Sequence, residues 1–140
     1  MVEVNYWAVL LAAISSMAVG AVWYMPTAFG NAWMKLAKVK MDKKMSAGKS
    51  VYIYGMTFVA SLVTAYILAH VTFLSNAFFH HGFMQDAVTT AFWLWLGLTV
   101  ARFLVHDLFE GRSAKLTAIN AGHELLTIVV MALIIGSMGV

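Results

Sequence analysis

The chain contains no cysteine, a single proline and few charged residues, which make up 11% of its 140 positions. Without cysteine, disulfides, thiolate metal sites and cysteine nucleophiles are all excluded. Hydrophobic residues account for 62% of the chain, more than a soluble domain of this length can bury. Lipid can cover such a surface, so the composition predicts an all-α integral membrane protein.

Four apolar segments are long enough to cross a bilayer as helices. We expect them to form a single four-helix transmembrane domain over residues 1–140, with spans at about 5–24, 51–74, 86–106 and 114–138. Pro26 disfavours helical geometry at the residue before it, so the first span should end nearby. A short amphipathic helix over about 27–39 is then expected to lie in the membrane interface.

The basic residues mark one side of this predicted bundle. All nine lie on that side or a short way inside it: Lys35, Lys38, Lys40, Lys43, Lys44, Lys49, Arg102, Arg112 and Lys115. The positive-inside rule then predicts that the basic loops are cytoplasmic and that both termini lie outside the cytoplasm. The same topology explains the pI near 9.3 without a nucleic-acid partner.

The last span carries a carboxylate, Glu124, well inside an apolar segment. A carboxylate in hydrocarbon costs several kcal/mol unless it is neutralised, paired or hydrated. Asn120 and His123 lie on the same helical face, together with threonines at positions 117 and 127. This polar stripe is the candidate functional site of the sequence.

The third span supplies a cation, Arg102, at a similar depth. A short turn joins the third and fourth spans, which should therefore be antiparallel neighbours. We expect an interior Arg102–Glu124 pair, with Asn120 and His106 as supporting hydrogen-bond partners. In the first span, small residues four apart (Ala8 to Gly20) predict close helix packing and self-association.

The histidines give little support for a cofactor or a metal. A transmembrane haem needs two histidines at one depth, whereas His70, His106 and His123 lie at different depths. The His80–His81 pair is typical of an interfacial loop, and a third metal ligand is missing. No nucleophile–base pair or phosphate loop is recognisable, so we expect no cofactor, no metal and no enzymatic activity.

Two blocks of the sequence carry a family resemblance. The first is Trp23–Tyr24–x–Pro26 with Phe29–Gly30 and Trp33, and the second is Leu108–Phe109–Glu110–Gly111–Arg112 with Ile119–Asn120–Ala121–Gly122. The chain resembles an uncharacterised family of small bacterial membrane proteins, the domain of unknown function numbered 1761. The resemblance implies a four-helix protein of the bacterial inner membrane and no established activity. We interpret the first block mainly as architectural, with Trp and Tyr anchoring at the headgroups.

Two functional hypotheses remain open from the sequence. The first is a subunit for ion- or proton-linked transport, or a channel subunit, that uses the interior Arg102/Glu124 stripe. Four short helices enclose little space, so this function needs a homo-oligomer. The second is a non-catalytic accessory module that binds lipid or a partner, in which the polar stripe only holds helices together.

Overall fold

The computed structural model describes residues 2–39 and 45–140, and within these ranges the chain is predominantly helical with no strand. The elements in order are α1 (Tyr6–Trp23), α2 (Gly30–Leu36), α3 (Ala47–Phe79), α4 (Phe83–Leu94), a π-helical segment (Trp95–Val100), α5 (Ala101–Phe109) and α6 (Ala114–Met138). Four helices are long and apolar enough to cross a membrane, since α4, the π-helical segment and α5 form one continuous helix. The predicted fold class is therefore confirmed.

The ends of the helices are fixed by local caps. Side chains of Asn5, Ser46 and Ser113 accept backbone N–H bonds at the starts of α1, α3 and α6. At the end of α5, Gly111 has φ +65°, and the Arg112 N–H donates to the carbonyl of the residue at position 107. This is a Schellman arrangement, which needs a left-handed residue where glycine is least strained. Gly111 thus provides the bend between α5 and α6.

Helix α6 lies at the centre of the bundle and packs against α1 and α4. Met131 and Ile135 of α6 are each 1% exposed and form the middle of the core. Alanines of the neighbouring helices surround them, such as Ala12 and Ala87, both fully buried. Small side chains allow the helix backbones to approach closely, and close van der Waals contact is a principal force between helices in lipid.

The small-residue face of α1 is used inside the subunit. Ala8, Ala12 and Ser16 are buried, and the hydroxyl oxygens of Ser16 and of Ser61 on α3 lie 2.8 Å apart, within hydrogen-bond distance. A Cβ added at Gly20 would lie 3.4 Å from the His123 ring of α6. Within the subunit α3 and α6 cover this face, and self-association through the first span stays a prediction.

The third span contains the π-helical segment Trp95–Val100, which changes its register. On a continuous α-helix Trp95 and His106 would share a face, because eleven residues make about three turns. A π-bulge inserts an extra residue and rotates the rest of the helix by about 100°. Accordingly Trp95 packs against α6, Asp107 is the buried residue of α5, and His106 and Arg102 are exposed.

Candidate functional site

A polar groove of about 840 Å³ lies between α1, α3 and α6, in the half of the bundle nearest α2. Its lining includes Ser16, Met17, Gly20, Tyr24, Trp33, Ile53, Tyr54, Thr57, Ser61, Thr64, Asn120, His123, Glu124, Thr127 and Met131. Beyond Met131 the core is closed by Leu68, which is fully buried. The groove is therefore closed at this pair of side chains.

Glu124 and His123 form the charged centre of the polar groove. The His123 Nδ1 atom lies 3.0 Å from the Glu124 Oε1 atom, and the Glu124 side chain is 42% exposed. With a carboxylate as its partner, Nδ1 carries the hydrogen, and in a neutral ring Nε2 is left to accept. The Thr127 hydroxyl lies 3.5 Å from Nε2, and Gly20 leaves space for the ring. Within the part of the chain that the structure describes, the carboxylate thus has one side-chain partner and otherwise opens into the groove.

The floor of the polar groove is tied to α6 through Asn120. Its Oδ1 atom accepts two hydrogen bonds, from the Trp33 Nε1 at 3.1 Å and from the Tyr24 hydroxyl at 3.3 Å. The two aromatic rings pack edge to face, with centroids 5.3 Å apart. Burial, with a smaller contribution from Glu124, raises the pKa of Tyr24 to about 12. The phenol therefore stays protonated near neutral pH and remains a donor to Asn120.

The first sequence block builds the turn that places these aromatic rings. After Pro26 the chain folds back, and Phe29 N–H donates to the Trp23 carbonyl at 3.1 Å while their rings stack at 4.4 Å. A Cβ at Gly30 would overlap the Tyr24 carbonyl oxygen, so only glycine fits there without a backbone shift. The block thus builds this turn and supplies the floor of the polar groove, whereas anchoring of its Trp and Tyr side chains at the headgroups stays a prediction.

The two sequence blocks meet in space at α6. Besides the Asn120 contacts, the Trp23 indole packs against Gly122, where an added Cβ would lie 3.2 Å from the ring. The first part of the second block lies in the α5–α6 turn, away from the polar groove. There Phe109 is 91% exposed, and Glu110 Oε2 lies 2.6 Å from the Arg112 Nε.

The structure brings together only part of the predicted polar stripe. Asn120, His123 and Glu124 line the polar groove, but Arg102 and His106 are exposed outside it. The expected Arg102–Glu124 pair is therefore corrected: Glu124 pairs with His123 on its own helix. The register change in the π-helical segment is the physical reason, because it rotates both third-span side chains away from α6.

Two buried aspartates were missed by reasoning from the sequence. Asp86 accepts from Asn76 Nδ2 at 2.8 Å and lies 3.1 Å from His81 Nδ1. Asp107 accepts from the Thr117 hydroxyl at 2.5 Å and so joins α5 to α6. Asp86 had a sequence signal, since an acid in the first turn of a helix is favoured by the helix dipole. Asp107 had no such signal, because the pattern of a continuous α-helix places His106, and not Asp107, on the same face as Trp95.

The described residues define an all-α membrane protein of four spans with a polar groove at one end. The chain belongs to the family described as "Protein of unknown function (DUF1761)", whose model matches residues 7–136. This confirms the resemblance carried by the two sequence blocks. No curated protein and no solved structure matches the chain.

Proposed function

We propose that the protein is a subunit for proton- or cation-linked transport, in which Glu124 is the exchanging group. The observation that carries this proposal is that, among residues 2–39 and 45–140, the Glu124 carboxylate has a single side-chain partner, His123, and faces an open groove. An ionisable group inside a membrane span and facing a cavity typically belongs to an ion or proton pathway. The other titratable groups that line the polar groove are His123, Tyr24 and Tyr54.

The closed core below the polar groove favours a second candidate, a non-catalytic accessory module. Leu68 and Met131, 0% and 1% exposed, separate Glu124 from the far end of the bundle. Transport therefore requires either helix movement or a path shared with a second copy of the chain. An accessory module that only binds a ligand in the groove requires neither.

We propose that neither function involves catalysis. The contacts run from the Thr127 hydroxyl to His123 and from His123 to Glu124, which is the order of nucleophile, base and orienting acid in a catalytic triad. However, the backbone N–H groups around position 127 are inside α6 and are bonded within the helix. No oxyanion site can be built from them, so this chain of contacts supports proton transfer better than acyl transfer.

A flux assay in liposomes tests the transport proposal. The purified protein is reconstituted with a pH-sensitive dye inside, and flux is measured under an imposed cation gradient. Glu124→Gln is expected to abolish the pH-dependent flux, and Glu110→Gln, which changes an exposed carboxylate of the α5–α6 turn, to retain it. A full flux in Glu124→Gln would contradict the proposal. No flux from the unaltered protein would favour the accessory module.

We also propose the orientation: the basic end is cytoplasmic, and both termini lie outside the cytoplasm in the bacterial inner membrane. Lys35, Lys49 and Lys115 lie toward this end, whereas Lys40, Lys43 and Lys44 are outside the described residues. Because the chain has no cysteine, single cysteines can be introduced without background. Cysteines at Lys115 and His81 are expected to react with an impermeant reagent from opposite sides. Reaction of both from one side would refute the topology.

A further inference from the structure

We propose that the ligand of the polar groove is a small amphiphilic amine: a protonated primary amine on a short apolar body. This inference rests on the proposed function, since it names the cation that Glu124 binds. It goes beyond that function because it specifies the hydrogen-bonding group and the shape of the ligand.

The hydroxyl groups on the α3 wall carry the argument. Thr57 donates its hydroxyl hydrogen to the Ile53 carbonyl at 2.8 Å, and Thr64 donates to the Ala60 carbonyl at 3.0 Å. Each oxygen has thereby used its one hydrogen and can only accept a further bond. Opposite them on α6, the Glu124 carboxylate is also an acceptor. Thr57, Thr64 and Glu124 therefore favour a positively charged ligand that carries several N–H donors.

The length of this acceptor row argues against a bare metal ion. Thr57 and Thr64 are seven residues apart, roughly 10 Å along α3 at the helical rise. A dehydrated metal ion needs oxygen ligands that converge at about 2–2.6 Å from one point. One cation can therefore contact Glu124 and at most one of the two threonines. That is too few protein ligands for a dehydrated metal ion. The three N–H donors of an ammonium group need only three acceptors, which the two carboxylate oxygens and one threonine can supply, and the apolar body then lies along the rest of the groove.

The remaining lining gives the ligand its apolar character. Tyr24, Trp33 and Tyr54 place aromatic rings near the open end, and Met17, Ile53 and Met131 supply apolar surface. Aromatic faces attract organic cations through their negative π-electron density. The volume of about 840 Å³ lies in the usual range for small-molecule sites. A short alkyl chain with a terminal ammonium group matches this combination of charge, donors and apolar contact.

Calorimetry with three hexyl compounds tests the proposal in lipid nanodiscs. Hexylammonium has three N–H donors, hexyltrimethylammonium has the charge without donors, and 1-hexanol has neither the charge nor an N–H group. We expect hexylammonium to bind roughly tenfold more tightly than the quaternary ion, and hexanol to bind no more tightly than it partitions into protein-free nanodiscs. Equal binding of hexylammonium and either other compound overturns the proposal.

Variants separate the role of the α3 wall from that of Glu124 on α6. Thr57→Val with Thr64→Val is expected to weaken hexylammonium binding severalfold and to leave the quaternary ion unaffected. Glu124→Gln should abolish binding of both cations. Thr89→Val is the matched control, because its hydroxyl likewise donates to a carbonyl of its own helix but lies outside the polar groove. An equal loss in the control and the double variant would overturn the assignment of the α3 wall.

The outcomes also separate this inference from the transport proposal. Binding of hexylammonium by a protein that shows no flux of protons, metal cations or hexylammonium leaves the ligand class standing and refutes transport. A Glu124-dependent flux of metal cations or protons in a protein that does not bind hexylammonium supports transport and refutes the amine as the ligand.

Discussion

Asp86 and Glu124 are both carboxylates within the third and fourth spans, and they lie in opposite kinds of environment. Asp86 is 2% exposed, and each of its oxygens has a partner, Asn76 on Oδ2 and His81 on Oδ1. Glu124 has a 42% exposed side chain with His123 as its one side-chain partner among the described residues. The first carboxylate is enclosed by donors, and the second is left open to a groove.

The difference separates a structural carboxylate from an exchangeable one. A buried polar group with all its hydrogen bonds formed rigidifies its surroundings, and losing any one partner is costly. Asp86 joins the end of α3 to the start of α4 in this way. A carboxylate with free oxygens facing a cavity can take up a proton or a cation without breaking the fold. Burial and partner number therefore indicate function better than the presence of a charge.

The largest expected effect comes from making the same chemical change at both carboxylates. Asp86→Asn turns one acceptor oxygen into an NH₂ group that faces the Asn76 or His81 donor, and it should lower the free energy of unfolding by about 1.5–3 kcal/mol. Glu124→Gln keeps an acceptor for His123, so its cost should stay below about 1 kcal/mol. Thermal or denaturant unfolding in one detergent measures both.

That comparison would fail if the two variants lost similar stability. A large loss in Glu124→Gln alone would make the open carboxylate the structural one, and the candidate site would have to be withdrawn. Asn31→Ala serves as a control, because it removes an exposed amide that donates to a backbone carbonyl. It should change stability by about 0.5 kcal/mol or less.

A smaller effect is expected from the floor of the polar groove. Asn120→Leu leaves the Tyr24 hydroxyl and the Trp33 indole N–H without their shared acceptor. Each unsatisfied donor costs about 1–3 kcal/mol when buried, and these half-buried groups can partly recover with water, so about 1 kcal/mol in total is expected. Trp33 should also become more accessible to a fluorescence quencher. Unchanged stability and quenching would mean that α2 is held to α6 by other contacts.

The sequence predicted the helical framework better than the site. The bounds of α6 agree with the predicted span, because caps at Ser113 and Gly139 enclose a predominantly apolar segment without proline. The short helix predicted over about 27–39 is present as the shorter α2, and its location in the membrane interface stays a prediction. Helix α3 extends beyond the predicted 51–74 at both ends, since its polar and aromatic flanks remain helical.

The side-chain contacts were harder to predict, for two physical reasons. The π-helical segment has no pattern that marks it in the sequence, yet it decides which face of α5 meets α6. The polar groove depends on how far α3 diverges from α6, which hydrophobic periodicity does not encode. Asn120, His123 and Glu124 could be recognised as one helical stripe, but the partners of Asn120 are about ninety positions away.

The smallest expected effect concerns Arg102, and it tests the register of the third span. Its side chain is exposed on the bundle surface, about 10 Å along the helix from Phe109. From there an arginine can extend its charged group toward the headgroups. Arg102→Gln should therefore change the free energy of unfolding by about 0.5 kcal/mol or less. Asp107→Asn, which disturbs the buried acceptor of Thr117, should cost about 1.5–3 kcal/mol.

The opposite order of the two variants would place Arg102 on the face of α5 that meets α6. The π-helical segment would then not shift the register, and an Arg102–Glu124 pair would again be required to explain the charge in the last helix.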